Sequence, residues 1–164
     1  MGEVILGIDV GFAICGWSIV EKDSKHKNGM KLIDFGAILT SSKDTISSRL
    51  NQVADGLERI IAEYKPDTMS VEDLFYFKNQ KTVIAVAQVR GVILLVGERN
   101  HLNIYSYTPL QVKVAVTGYG RADKKDVQRM VQMIFCLKEI PKPDDAADAV
   151  AVALCHCNNS QILK

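Results

Sequence analysis

The N-terminal run at residues 4–10 constrains the fold most, because it is apolar on both of its alternating faces. A strand of this kind is covered on both sides, which is typical of a central strand in a layered domain. Residues 13–20 and Met30–Leu39 are further strand candidates, and the turn dipeptide Asn28-Gly29 lies between them. The pattern therefore predicts three consecutive antiparallel strands.

Helices and strands alternate in the remaining chain. Apolar residues recur every three or four positions over residues 44–64, which predicts an amphipathic helix. Thr68–Glu72 and Asn103–Tyr107 are short strand candidates. The other predicted helices lie over residues 82–97, from Pro109 onward, and over residues 123–137 and 144–157. This order predicts an α/β fold, with a mixed sheet flanked by helices, in one domain over residues 1–164.

Charge and hydropathy narrow the classes of function. The formal net charge is only +1, so any contact with nucleic acid must come from local clusters of Lys and Arg. The N-terminus has no charged leader, and no apolar stretch is long enough to cross a membrane. We therefore expect a cytoplasmic protein without membrane contact.

The four cysteines show no paired CxxC pattern. We expect them to be reduced and buried, as small core residues of a cytosolic protein. His156 stands between two of them, but the segment offers too few ligands for zinc, so a role in the core or at a helix end is expected. The cysteines are Cys15, Cys136, Cys155 and Cys157.

Acidic residues occur at positions where they could converge. Asp9 lies within the apolar first strand, where an ionised carboxylate is costly unless a cation or hydrogen bonds compensate it. Glu72 ends a short strand, and Asp145 and Asp148 project from one face at the start of a helix. If the four converge, their repulsion favours one or two divalent cations, Mg²⁺ or Mn²⁺. Two such ions support phosphodiester hydrolysis, which is nuclease chemistry.

Each of these acids except Asp9 also has an ordinary explanation. A glutamate at a strand end is commonly solvated, and an aspartate at a helix start is commonly a cap, as we interpret Asp144. Spacing alone therefore leaves the question of catalysis open.

Three segments carry a resemblance to a known family: GIDVG at residues 7–11, VEDLF at 71–75 with Lys78-Asn79, and DAADA at 145–149. With QVRG at residues 88–91, QVK at 111–113 and the stretch 118–128, the chain resembles the RuvC family of bacterial Holliday junction resolvases over nearly its whole length.

The resemblance implies a ribonuclease-H-like fold and a homodimer. The dimer would nick opposing strands of a four-way DNA junction in recombination and repair, with one or two Mg²⁺ ions per subunit, Mn²⁺ substituting, and RuvA and RuvB as partners. It also implies roles for individual residues: catalysis and metal binding by Asp9, Glu72, Asp145 and Asp148, and DNA contact by Lys113, Lys124 and Phe75, the last by stacking on bases.

Two positions depart from the family pattern. Many members have Pro where this chain has Val10, and a small polar residue where it has Phe12, which affects how DNA is positioned near Gly11. Other functions stay open on residues alone. They are a sugar-kinase or actin-like ATPase, which needs two lobes of about this size, a ribonuclease-H-like nuclease in RNA processing, and a junction-binding module that does not cut.

Overall fold

Five strands form one sheet in the order β3-β2-β1-β4-β5 in the computed structural model, which describes residues 2–74 and 80–159. Strands β1, β2 and β3 pair antiparallel, which confirms the predicted triplet, whereas β4 runs parallel to β1 and β5 parallel to β4. The strands are β1 (Val4–Asp9), β2 (Ile14–Lys22), β3 (Met30–Leu39), β4 (Thr68–Glu72) and β5 (Asn103–Tyr107).

The helices lie where the periodicity predicts them, with small differences at their ends. α1 begins after Thr45, whose side chain accepts a hydrogen bond from the Ser48 N–H at 3.3 Å. α4 is shorter than predicted because Cys136 adopts a left-handed backbone, with φ of 51°, just beyond its end. The helices are α1 (Ile46–Tyr64), α2 (Gln80–Arg99), α3 (Pro109–Thr117), α4 (Lys124–Ile134) and α5 (Asp144–Asn159).

Strand β1 is covered on both faces, as its sequence predicts. Leu6 and Ile8 pack with α1 and α2 on one side of the sheet. Ile5 packs with α5 on the other side, and α3 and α4 pack around α5. Because α5 lies between the sheet and these helices, its Ala- and Val-rich residues are buried on nearly all sides. The sheet is therefore the middle layer between two groups of helices.

The cysteines do not all belong to the core. Cys15, Cys155 and Cys157 are buried, as expected, but Cys136 is exposed, so the prediction is wrong for this residue. Its position in the turn after α4 explains the difference, because that turn lies at the surface.

His156 has the core role that we expected. Its Nδ1 lies 2.9 Å from the Tyr107 hydroxyl and its Nε2 lies 3.2 Å from a carboxylate oxygen of Glu3. Both ring nitrogens are thus partnered in the interior. Within the two described ranges, no helix has the length and apolar character needed to cross a bilayer.

Candidate active site

Asp9 and Glu72 meet at one edge of the sheet because β1 and β4 are parallel neighbours. The register pairs Ile8 with Val71, so the next residues along the two strands are Asp9 and Glu72. Asp9 is the last residue of β1, and the expectation that it lies in the strand interior is corrected accordingly. By the alternation of strand side chains, both carboxylates lie on the face that packs against α5.

Two glycines let the start of α5 approach this face closely. A Cβ atom on Gly7 would lie 2.3 Å from the carbonyl oxygen of Ala149, and one on Gly16 would lie 2.0 Å from that of Asp145. No real Cβ contact is this short, so only glycine allows the helix to lie here. The close packing brings Asp145 and Asp148, which are three residues apart, to the edge that holds Asp9.

The crowded acids alter the ionisation of Asp9. Burial, followed by the charges of Glu72, Asp148 and Asp145, raises the pKa of Asp9 from 3.8 to about 8. Asp9 therefore holds a proton at neutral pH. Burial and the charge of Asp148 also raise the pKa of Glu72, although a hydrogen bond with Asp9 lowers it. The ionisation of Asp9 and that of Glu72 therefore depend on each other.

Lys124 supplies a positive charge beside the acids. Its Nζ lies 3.0 Å from Oδ2 of Asp148 and 3.8 Å from Oδ2 of Asp144. Burial raises the pKa of Asp148, and Lys124 partly offsets that effect. For Lys124 itself, burial opposes the charged form, but its hydrogen bond to Asp148 and the nearby acids outweigh burial and raise its pKa. Lys124 is therefore held as a cation against the carboxylates.

Asp144 and Asp145 have different positions. Asp144 is exposed and is the first residue of α5, so the prediction that it caps the helix is wrong. The helix already includes this residue, because the Pro143 carbonyl accepts a hydrogen bond from the Ala146 N–H. Asp145 is half-buried, and its charge contributes to the raised pKa of Asp9. The carboxylate of Asp144 instead forms an ion pair with Lys124. Of these two acids, Asp145 is therefore the one whose charge is felt by Asp9.

A cleft of about 220 Å³ opens beside the carboxylates. Glu72 and Asp148 line it together with Lys113 from α3 and Lys124 from α4. Lys113 is close enough to lower the pKa of Glu72 by its charge. Of the seven residues predicted for the site, the structure places six around this edge, and Phe75 lies outside the described residues.

The donor set suits a hard divalent cation, because carboxylate oxygens are the ligands that Mg²⁺ and Mn²⁺ prefer. Burial and the neighbouring acids raise the pKa of Asp9, and a cation bound among these acids would favour the charged carboxylate instead. In the part of the chain that the structure describes, no three acidic, His or Cys side chains already form a cage for a metal ion. The ammonium of Lys124 supplies positive charge beside Asp144 and Asp148 in this arrangement.

Sequence reasoning did not identify Gly16 as part of the site. The available signal was a glycine inside a strand pattern, which often marks a close approach of another backbone. Its partner, the Asp145 carbonyl, is distant in sequence, so the contact could not be inferred from the pattern.

Comparisons with known proteins agree with this geometry. A family model described as "Crossover junction endodeoxyribonuclease RuvC" matches residues 5–156. A relative of that name from Fusobacterium nucleatum is 53% identical over 155 residues, covering 94% of this chain and 80% of the relative. One from Halothermothrix orenii is 52% identical over 159 residues, covering 97% and 94%.

A solved structure of Thermus thermophilus RuvC in complex with a Holliday junction substrate superimposes with a TM-score of 0.91. Its sequence is 28% identical, and the match covers 98% of this chain and 96% of that chain. This match confirms the ribonuclease-H-like fold, a mixed sheet flanked by helices. The chain therefore belongs to the RuvC family of crossover junction endodeoxyribonucleases.

Proposed function

We propose that this protein resolves four-way DNA junctions by metal-dependent hydrolysis of two symmetric phosphodiester bonds during recombination and repair. The relatives are named crossover junction endodeoxyribonucleases, and the Thermus thermophilus structure contains a Holliday junction substrate. One observation in this chain carries the proposal: acids from three separate segments converge beside two lysines. They are Asp9, Glu72, Asp145 and Asp148, with Lys113 and Lys124.

The four acids would hold the catalytic metal, which we propose to be Mg²⁺, with Mn²⁺ as a substitute and one or two ions per subunit. Members of this family are metal-dependent nucleases. An ion held by these carboxylates would supply Lewis-acid chemistry: it would favour ionisation of an attacking water and would stabilise charge on the leaving oxygen. Asp9 must lose its proton before its carboxylate binds a cation, so its raised pKa opposes metal binding below about pH 8.

Two lysines have a position suited to the DNA backbone. Lys113 lines the cleft beside Glu72, and Lys124 lies on its α4 side, paired with Asp148. A phosphate that enters this cleft would meet both ammonium groups, which would also stabilise charge in the transition state. We further propose that Phe75 stacks on bases at the junction, a contact worth about 1–3 kcal/mol per base.

A homodimer would match the two-fold symmetry of the substrate. Two exposed apolar side chains on one face of α2 support this assembly: Ile84 and Leu95 are 61% and 50% exposed, and Gly91 lies between them on the same helical face. We also propose that residues 1–164 form a single domain, that the protein acts in the cytoplasm, and that RuvA and RuvB are its partners.

The proposed activity can be tested by cleavage of a synthetic four-way junction with Mg²⁺, compared with a linear duplex of the same sequence. We expect the junction alone to be cut. Asp9→Asn should bind the junction but lose at least about a hundredfold in rate, equivalent to about 2.7 kcal/mol of barrier. Glu98→Gln, which changes an exposed acid on α2, should cut normally.

Two outcomes would contradict the proposal in different ways. Equal cutting of junction and duplex would exclude selectivity for junctions. Cleavage by Asp9→Asn at the wild-type rate would remove Asp9 from the mechanism while leaving the substrate unchanged.

A further inference from the structure

Arg49 is a buried cation without an acidic partner. The residue is only 8% exposed, yet none of the Asp and Glu side chains in the described ranges lies within 4.0 Å of its guanidinium. Its contacts are neutral. Nε donates to Oγ1 of Thr40 at 2.9 Å, Nη2 donates to the Phe12 carbonyl at 3.3 Å, and the guanidinium carbon lies 3.6 Å from the centre of the Phe12 ring. Buried charges are usually paired with an opposite charge, so this arrangement requires an explanation.

These contacts attach Arg49 to the segment that leaves the active-site strand. Phe12 follows Asp9 by three residues, in the connection between β1 and β2. Thr40 directly follows β3 and donates its hydroxyl proton to the Phe12 carbonyl at 2.6 Å. Both residues therefore lie at the end of the sheet where the carboxylates converge. Arg49 itself belongs to α1, on the face of the sheet opposite α3 and α4.

The guanidinium retains donors for an external group. Nη1 makes no hydrogen bond with any described residue. This atom is not fully buried, so it is accessible to solvent. The nearest acid in sequence, Asp44, accepts a hydrogen bond from Gln52 at 2.8 Å instead. Lys43 is exposed, and the first turn of α1 has no acidic residue, so the helix dipole adds to the positive potential.

We infer that Arg49 binds a backbone phosphate of the DNA strand that passes the β1–β2 connection. A guanidinium presents paired donors that fit phosphate oxygens, and the neutral contacts hold it in place without using its charge. This contact rests on the proposed function and adds a second phosphate site, across the sheet from Lys113 and Lys124. The ring of Phe12 supports the cation.

The salt dependence of junction binding tests the inference, measured without divalent cations so that no cutting occurs. Loss of one phosphate contact lowers the magnitude of the slope of log affinity against log salt by about 0.9. When salt is raised from 50 to 200 mM, the fold-loss in affinity of Arg49→Gln should therefore be about 3.5 times smaller than the fold-loss of wild type. Arg49→Lys keeps the charge and should keep the slope. Arg59→Gln, which changes an exposed arginine on the same helix, should behave as wild type.

A purely structural role for Arg49 would lower the urea midpoint of Arg49→Gln and leave the slope unchanged, and that result would overturn the inference. A second measurement covers the case in which this variant does not fold. In wild-type protein, the Nε–H NMR signal of Arg49 should shift when junction is added, while that of Arg59 stays fixed; an unshifted Arg49 signal also overturns the inference. Failure of wild-type protein to bind a junction would contradict the proposed function as well, whereas junction binding with an unaltered slope contradicts the Arg49 contact alone.

Discussion

Asp9 should lower the stability of the metal-free protein, and its replacement by Asn should raise it. Asn resembles the protonated acid in shape and cannot ionise. The difference between pKa values of 3.8 and about 8 corresponds to a ceiling of about 6 kcal/mol in folding free energy. Burial of the charged carboxylate is the largest cause of this difference, and repulsion from Glu72 and Asp148 adds a part that is relieved when either acid takes up a proton. We therefore expect a gain of about 2 kcal/mol for Asp9→Asn at high pH.

The size of this effect depends on pH. Between the unfolded pKa of Asp9 and its folded pKa, the folded state keeps a proton that the unfolded state has lost. The stability of wild-type protein therefore falls as pH rises from about 4 to about 8 because of this group. Asn cannot ionise, so Asp9→Asn lacks this loss of stability. Its gain in free energy of unfolding over wild type should be absent near pH 4, grow through neutral pH and level off above about pH 8.

Urea denaturation in EDTA from pH 4 to pH 9, followed by the fluorescence of the single tryptophan Trp17, measures the effect. Protein concentration must be fixed, because association changes apparent stability. A gain of 2 kcal/mol corresponds to about 4–8 °C in Tm for a domain of this size. Glu98→Gln, which removes an exposed acid on α2, is measured in parallel as the control. If the free energies of unfolding of wild type and Asp9→Asn differ by a constant amount across this pH range, Asp9 does not have the raised pKa that we describe.

Two further predictions concern the lysines and the glycine contact. Lys113→Ala and Lys124→Ala should each lower the salt slope of junction affinity by about 0.9, and an unchanged slope would leave them as residues without a phosphate contact. Gly16→Ala places a Cβ 2.0 Å from the Asp145 carbonyl, so it should destabilise the protein by at least about 2 kcal/mol and reduce cleavage. Urea denaturation measures this loss, and a change below about 0.5 kcal/mol, as is usual at unconstrained surface positions, would refute the packing argument.

Local patterns determined most of the secondary structure of this chain. Residues 4–10 predicted a strand covered on both faces because covered strands lack polar alternation, and β1 has this environment. The apolar residues at three- and four-residue steps over residues 44–64 predicted α1, because this spacing places them on one face of a helix. The errors lie at element ends, as at Cys136, where one left-handed residue ends a helix that the periodicity would continue.

The sequence by itself also identified the acids of the candidate site. An ionised aspartate in an apolar strand is costly wherever that strand lies, so Asp9 requires a compensating partner. Only the tertiary structure decided how they are arranged. The parallel register of β1 and β4 sets Asp9 beside Glu72. The glycine contacts bring the start of α5 against the sheet, where the charge of Asp145 acts on Asp9. The lack of an acidic partner for Arg49 was equally invisible in the sequence. These properties depend on residues distant along the chain, and local patterns contain no information about which distant groups meet.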